Sequence, residues 1–72
     1  MANTLAETIP GQLRAELARR QITKSELAER LNVSDMWVYR RLTGSVVLDL
    51  DDLDRITAAL DIDPRRLLEP VA

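Results

Sequence analysis

The sequence contains no cysteine, no histidine and no phenylalanine, and its aromatic residues are one tryptophan and one tyrosine. Zinc-finger sites and thiol chemistry are therefore excluded. The remaining residues assemble no nucleophile with its base and no metal site, so we expect no enzyme, no cofactor and no small-molecule ligand. The first 20 residues lack a basic start followed by an apolar run, and no stretch is long enough to cross a membrane. We therefore expect a cytoplasmic protein.

What is present is a short chain rich in aliphatic side chains. Its 72 residues are 46% hydrophobic, mostly leucine, alanine, valine and isoleucine, which suits one small helical core. We predict an all-α, compact five-helix domain over residues 10–69, with no sheet, an N-terminal arm over 1–9 and a C-terminal tail over 70–72. The first helix is expected from Pro10 to about residue 21, because proline suits a first helical position. A single helix that begins before Pro10 and is interrupted there is the alternative.

The chain is organised around residues 23–44, where the pattern predicts two short helices joined by a tight turn. Thr23 and Glu26 have the spacing of a capping box, and Asn32 tolerates the left-handed backbone that ends a helix. Ser34 then caps a second helix, and Gly44 ends it. This arrangement is a helix-turn-helix.

Two further helices are predicted after the motif. Asp49 caps a fourth helix from about residue 50 to 60, and Asp63 with Pro64 begins a fifth. The connector 46–48 between the motif and the fourth helix is Val-Val-Leu, an unusually apolar loop.

The helix-turn-helix resembles the Cro/C1-type (Xre-like) regulators that are common in phages and bacteria. The resemblance covers roughly residues 12 to 69 and implies a DNA-binding domain. The matching residues are Thr23, Glu26, Leu27, Ala28, Leu31, Val33, Ser34, Val38, Arg40, Gly44, Leu50, Leu53, Ile56, Ala59, Leu60, Leu67 and Leu68. The sequence departs from this family at Trp37 and Tyr39, where small polar residues are usual, and at Arg41, a commonly apolar position for which Leu42 substitutes in packing.

The charge of the chain is unevenly distributed. The net charge is −2, but residues 19–44 carry six basic and three acidic residues, whereas residues 45–72 carry three basic and seven acidic ones. The positive surplus therefore coincides with the motif, and we expect DNA affinity to fall steeply as salt rises. Arg19, Arg20, Arg65 and Arg66 are expected to be solvated rather than dedicated contacts.

The exposed side of the second motif helix carries side chains suited to DNA bases. Asp35 can accept from cytosine N4, Met36 or Trp37 can contact a thymine methyl, and Arg40 can donate to guanine. Trp37 as a half-buried packing residue is the competing interpretation. In relatives, the residues that match Asp35, Met36 and Arg40 commonly contact bases. Phosphate contacts are predicted from a second set, which is Lys24, Ser34, Tyr39, Thr43 and Ser45.

The leading functional hypothesis is a sequence-specific transcriptional regulator, a small phage or prophage repressor that inserts the helix 34–43 into the major groove of a double-stranded DNA operator. A homodimer through the C-terminal helix or the 46–48 connector is one alternative, and a monomer on an asymmetric site is the other. The competing function is a protein-interaction module, antitoxin-like or anti-repressor-like, that uses an exposed Met36, Trp37 and Tyr39. An architectural DNA-bending protein is the third hypothesis.

Overall fold

A computed structural model describes residues 4–68 of the chain. These residues form four α-helices and a final 3₁₀ helix, which are α1 (Leu5–Arg20), α2 (Lys24–Leu31), α3 (Asp35–Thr43), α4 (Leu50–Leu60) and the 3₁₀ helix Pro64–Leu68. No strand occurs within 4–68, and α2 and α3 form the predicted central motif. The all-α five-helix prediction is therefore confirmed, and the predicted tail 70–72 lies outside the described residues.

The predicted start of the first helix at Pro10 is wrong. The helix begins at Leu5, one turn earlier, because the side chain of Thr4 caps it by accepting a hydrogen bond from the Glu7 backbone at 3.3 Å. Pro10 lies inside the helix, where its missing N–H removes only one backbone bond. Residues 5–9, which we assigned to an arm, therefore belong to α1.

The predicted helix ends carry the expected caps. Thr23 and Glu26 form a capping box at α2, and Ser34 caps α3 by accepting from the Trp37 backbone at 3.1 Å. Asn32 and Gly44 end these helices with φ of 58° and 83°, in the left-handed region. The left-handed Asn32 keeps the turn between α2 and α3 short and fixes how α3 leaves α2.

Every described element contributes to one aliphatic core. Leu13, Leu27 and Leu67 are fully inaccessible to solvent, and Ile56 and Leu60 are nearly so. The 3₁₀ helix packs on α1 and α4 through Leu67, while α3 packs on α1 and α2. The C-terminal helix is thus part of the core.

Arginine side chains connect the helices by donating to backbone carbonyls near helix ends. Arg55 of α4 donates to the Leu31 carbonyl at the end of α2, at 3.1 Å, and Arg20 of α1 donates to the Leu60 carbonyl at the end of α4, at 2.9 Å. Arg14 of α1 donates to the Leu42 carbonyl near the end of α3. These bonds satisfy carbonyls that a helix end leaves without a partner. No helix within residues 4–68 combines the length and apolarity needed to span a membrane.

Candidate nucleic-acid interface

The geometry of the motif leaves one side of α3 turned outward. Leu27 and Ala28 of α2 are buried against Val38 of α3, and the turn residue Val33 packs on the same core. Val38 and Leu42 therefore face inward, one helical turn apart. Leu42 is 3% exposed, which confirms that it supplies the packing that the neighbouring Arg41 cannot.

Four of the predicted contact residues lie together on the outward side of α3. Asp35, Met36, Tyr39 and Arg40 are all exposed, with Met36 at 51% and Tyr39 at 46%. They occupy positions i, i+1, i+4 and i+5, so they form one strip over consecutive turns. A strip with a carboxylate, a thioether, a phenol and a guanidinium can donate, accept and make apolar contacts to base edges.

Arg40 differs from every other basic residue in its surroundings. The chain has ten lysines and arginines, all within residues 4–68. Within that part of the chain, the Arg40 side chain makes no hydrogen bond, ion pair or ring contact, whereas each of the others makes at least one. Its guanidinium is therefore the one with all of its donors available to an external acceptor.

Asp35 is held by a residue that the sequence analysis did not single out. The Ser25 hydroxyl of α2 donates to Oδ2 of Asp35 at 2.7 Å. This bond crosses between the first turns of α2 and α3, and it leaves Oδ1 of Asp35 to accept from another donor. The sequence offers no spacing rule for this pair, because residues 25 and 35 become neighbours only when the turn is formed.

The predicted phosphate-contact residues fall at three places around the strip. Lys24 lies with its ammonium 4.8 Å from the centre of the Tyr39 ring, so these two side chains form one cationic and aromatic edge. Thr43 and Ser45 lie together at the end of α3, with their hydroxyl oxygens 3.0 Å apart. Ser34 lies at the other end of α3 as its N-cap.

Trp37 does not join the outward strip. Its side chain is half-buried and packs against the core, and the Arg41 guanidinium carbon lies 3.8 Å from the ring centre. The Arg55 guanidinium carbon lies 5.6 Å from it. These contacts favour the packing role of Trp37 that competed with base contact.

Three arginines near helix ends share one buried acidic partner, which was not predicted from the sequence. Arg19, Arg20 and Arg66 all bond to Glu16, which is only 3% exposed. Hydrogen bonds from Arg19 and Arg20, with Arg66 nearby, hold the pKa of Glu16 below its ordinary value even though burial raises it. The spacings i+3 and i+4 could have indicated the first two pairs. No local pattern indicates Arg66, which is brought there by the fold.

The motif consists of two short helices joined by a tight turn at the left-handed Asn32, and the second helix carries an exposed strip. This is the geometry of the helix-turn-helix DNA-binding proteins. Residues 12–72 match the family model of the Cro/C1-type helix-turn-helix DNA-binding domain. The chain belongs to this family, which confirms the resemblance and makes the protein a DNA-binding regulator. No curated protein and no solved structure matches the chain significantly.

Proposed function

We propose that this protein is a sequence-specific transcriptional regulator, a small phage or prophage repressor that inserts α3 into the major groove of a double-stranded DNA operator. The observation that carries the proposal is the Arg40 side chain, which is exposed on the outward strip and has no side-chain partner within residues 4–68. A fork of unused donors beside an exposed carboxylate is suited to base edges, and no residue within 4–68 engages it.

Three of the four strip residues have a chemical partner among the bases. Arg40 donates to O6 and N7 of guanine, and Asp35 accepts from cytosine N4 with the oxygen that Ser25 leaves available. Met36 is more than half exposed and contacts a thymine methyl group. Together they specify a short stretch of about three base pairs on one side of the groove.

Phosphate contacts on both flanks hold α3 in place. Lys24 and Tyr39 bind one phosphate, and Thr43 with Ser45 bind another beyond the end of α3, since their hydroxyls are exposed and adjacent. Ser34 adds its backbone amide at the start of α3. These contacts fix the orientation of the helix but do not discriminate between sequences.

A homodimer through the 46–48 connector suits this function, because two copies of α3 about 34 Å apart occupy successive turns of one face of the duplex. Val47 and Leu50 are 77% and 80% exposed, and Leu5 is 56% exposed. They border a groove of ≈ 250 Å³ whose described lining contains no charged residue. The alternative interface, the C-terminal helix, offers less described apolar surface, because Leu67 is buried in the core and Leu68 is 45% exposed.

Such a protein acts in the cytoplasm of a bacterium, its own or that of an infected host, where it excludes RNA polymerase from an overlapping promoter. Its regulation then depends on concentration, partner binding or degradation. The described lining of the groove at the 46–48 connector includes none of the four strip residues, so a dimer formed there leaves the strip of each copy uncovered.

The test is a selection from random duplex DNA, followed by titration of the selected and scrambled sites at two salt concentrations. We expect one recovered motif bound at least ~10³-fold more tightly than its scrambled version. A palindrome in that motif supports the dimer, and an asymmetric motif supports the monomer. Weak binding without a motif contradicts sequence-specific regulation and leaves an architectural role, whereas no binding at all favours the protein-interaction module.

A further inference from the structure

The inward edge of α3 carries a cluster that joins it to α4. Nε of Arg41 donates to Oδ2 of Asp52 at 2.9 Å, and another nitrogen of the same guanidinium donates to the Trp37 carbonyl at 3.2 Å. The guanidinium also stacks on the Trp37 ring, at 3.8 Å from its centre. One arginine thus binds a carboxylate, a carbonyl and an aromatic ring at once.

The cluster extends to α2 through α4. Arg55 places its guanidinium carbon 5.6 Å from the Trp37 ring centre, and the same side chain donates to the Leu31 carbonyl at 3.1 Å. The ring of Trp37 therefore has cations from both α3 and α4 beside it. In this cluster, Arg41 of α3 bonds to Asp52 of α4, and Arg55 of α4 bonds to the end of α2. The cluster therefore connects α2, α3 and α4.

This ion pair is sheltered from solvent. The side chains of Arg41 and Asp52 are 17% and 11% exposed, whereas those of Arg65 in the 3₁₀ helix and of Asp63 directly before it are 85% and 45% exposed. Sheltered pairs are screened less by salt than exposed pairs are. The Arg41 pair is therefore able to fix a geometry that an exposed pair of the same type does not.

We infer that Trp37, Arg41 and Asp52 act as positioning residues for base recognition, by fixing the rotation of α3 about its own axis. The inference rests on the proposed function. Arg41 directly follows Arg40, so holding Arg41 against α4 determines where Arg40 points. We call these three residues the α3 clamp.

The sensitivity of base contacts to rotation explains why a clamp matters. A helix with its side chains is about 10–12 Å across, so a rotation of about 20° moves a side-chain tip by about 2 Å. A bidentate bond to guanine does not tolerate such a displacement, because hydrogen bonds weaken steeply outside a narrow range of distance and angle. Phosphate contacts from flexible side chains such as Lys24 do tolerate it. Loss of the clamp should therefore reduce specificity more than general affinity.

The test compares two double variants with the same net charge. Arg41→Met with Asp52→Asn removes the clamp pair, keeps an apolar stem beside Trp37 and leaves a side-chain oxygen at position 52 to accept from the Asp49 backbone N–H. Arg65→Met with Asp63→Asn removes the exposed pair of the 3₁₀ helix and serves as the matched control. Each removes one positive and one negative charge.

The readout is the ratio of affinities for the selected and scrambled sites. Partial unfolding lowers both affinities by the same factor, so the ratio does not respond to a merely structural effect. We expect the clamp variant to lose about tenfold in this ratio, which corresponds to about 1.4 kcal/mol, while the control variant keeps the ratio of the parent protein. A clamp variant with an unchanged ratio overturns the inference while the proposed function stands.

The fluorescence of Trp37, the only tryptophan, gives a second and independent readout. We expect acrylamide to quench it more strongly in the clamp variant than in the control, and operator binding to leave the quenching of the parent protein little changed. Strong shielding of Trp37 by the operator shows that the ring contacts DNA, and it overturns the clamp. If the parent protein selects no motif at all, the proposed function itself fails and the inference fails with it.

Discussion

Arginine serves different purposes at the junction of α1 with the 3₁₀ helix and on the outward strip of α3. At the junction, Arg19, Arg20 and Arg66 surround the buried carboxylate of Glu16, with Arg20 and Arg66 at 3.2 and 3.1 Å. On the strip, Arg40 has no side-chain partner within residues 4–68. At the junction, the arginines are paired and stabilise the fold. On the strip, the guanidinium of Arg40 is available to an external acceptor.

The difference shows that the net charge counted along a segment exceeds the charge that is available to DNA, because some of its cations are paired with acids elsewhere in the fold. Residues 19–44 carry a surplus of three positive charges, but Arg19 and Arg20 are paired with Glu16 and Arg41 with Asp52, both outside that segment. What remains near the strip is chiefly Lys24 and Arg40. Binding should therefore depend on a few well-placed contacts rather than on a broad positive field.

The largest effect is expected from breaking the junction at its centre. Glu16→Ala removes the carboxylate that three arginines share, and we expect the free energy of unfolding to fall by about 2–3 kcal/mol, less than for a fully buried pair because the arginines stay hydrated. A core of this size supplies only about 3–5 kcal/mol, so the loss should be visible as a large drop in the thermal midpoint. Glu7→Ala, at an exposed acid on the same helix, is the control. Equal midpoints for the two variants contradict a structural role for Glu16.

The same carboxylate should make stability depend on pH. The pKa of Glu16 is lowered from 4.5, chiefly by its hydrogen bond from Arg19, so its contribution is present above that pH and is lost as the pH falls through the lower, folded-state value. Arg65 likewise lowers the pKa of the exposed Asp63 from 3.8 to about 2, so the contribution of Asp63 is lost only at a lower pH than that at which the contribution of Glu16 begins to be lost. We expect Glu16→Gln to flatten the decline of the unfolding free energy just below pH 4.5. A decline as steep as that of the parent protein would assign it to other carboxylates.

A smaller and more local effect is expected from Arg40. Arg40→Ala should cost about 1–3 kcal/mol on the selected site and relax the preference at one base pair, because the bidentate contact to guanine is lost. Thermal stability should stay unchanged, since no described residue is bonded to this side chain. Arg19→Ala is the matched control, with an arginine that already has an internal partner. Equal losses on all DNA sequences would remove Arg40 from base recognition.

Local patterns predicted most of the fold because most helix ends depend on near neighbours. The capping box of Thr23 and Glu26, the left-handed Asn32 and the cap at Ser34 each involve residues within four positions. The predicted start of α1 was wrong because the prediction relied on the preference of proline for a first helical position, whereas the helix is capped earlier by Thr4. A missing backbone bond inside a helix is tolerated when the preceding turn is capped and the following residues are buried.

The candidate site was predictable in its outward residues but not in its supports. Asp35, Met36 and Arg40 follow from helical periodicity alone, and the structure places them on one exposed strip. The bonds of Asp35 to Ser25 and of Arg41 to Asp52 join residues 10 and 11 positions apart across a turn or between helices. Such pairs are set by tertiary geometry, which no local spacing encodes. The stacking of Trp37 on Arg41 has the i+4 spacing and could have been anticipated.

The smallest effect is expected from Lys24. Its dependence on DNA sequence and on salt, rather than its size, distinguishes a phosphate contact from a base contact. The Lys24 ammonium lies 4.8 Å from the centre of the Tyr39 ring, so its charge lies at the edge of the strip, where we propose that a phosphate binds. Lys24→Ala should weaken selected and scrambled sites alike and reduce the slope of log affinity against log salt by about 1. Lys24→Gln is the informative companion, because it keeps a polar group of similar length without the charge. Titrations of both variants at several salt concentrations should give the same reduced slope, and a loss confined to the selected site would instead mean that Lys24 contacts a base.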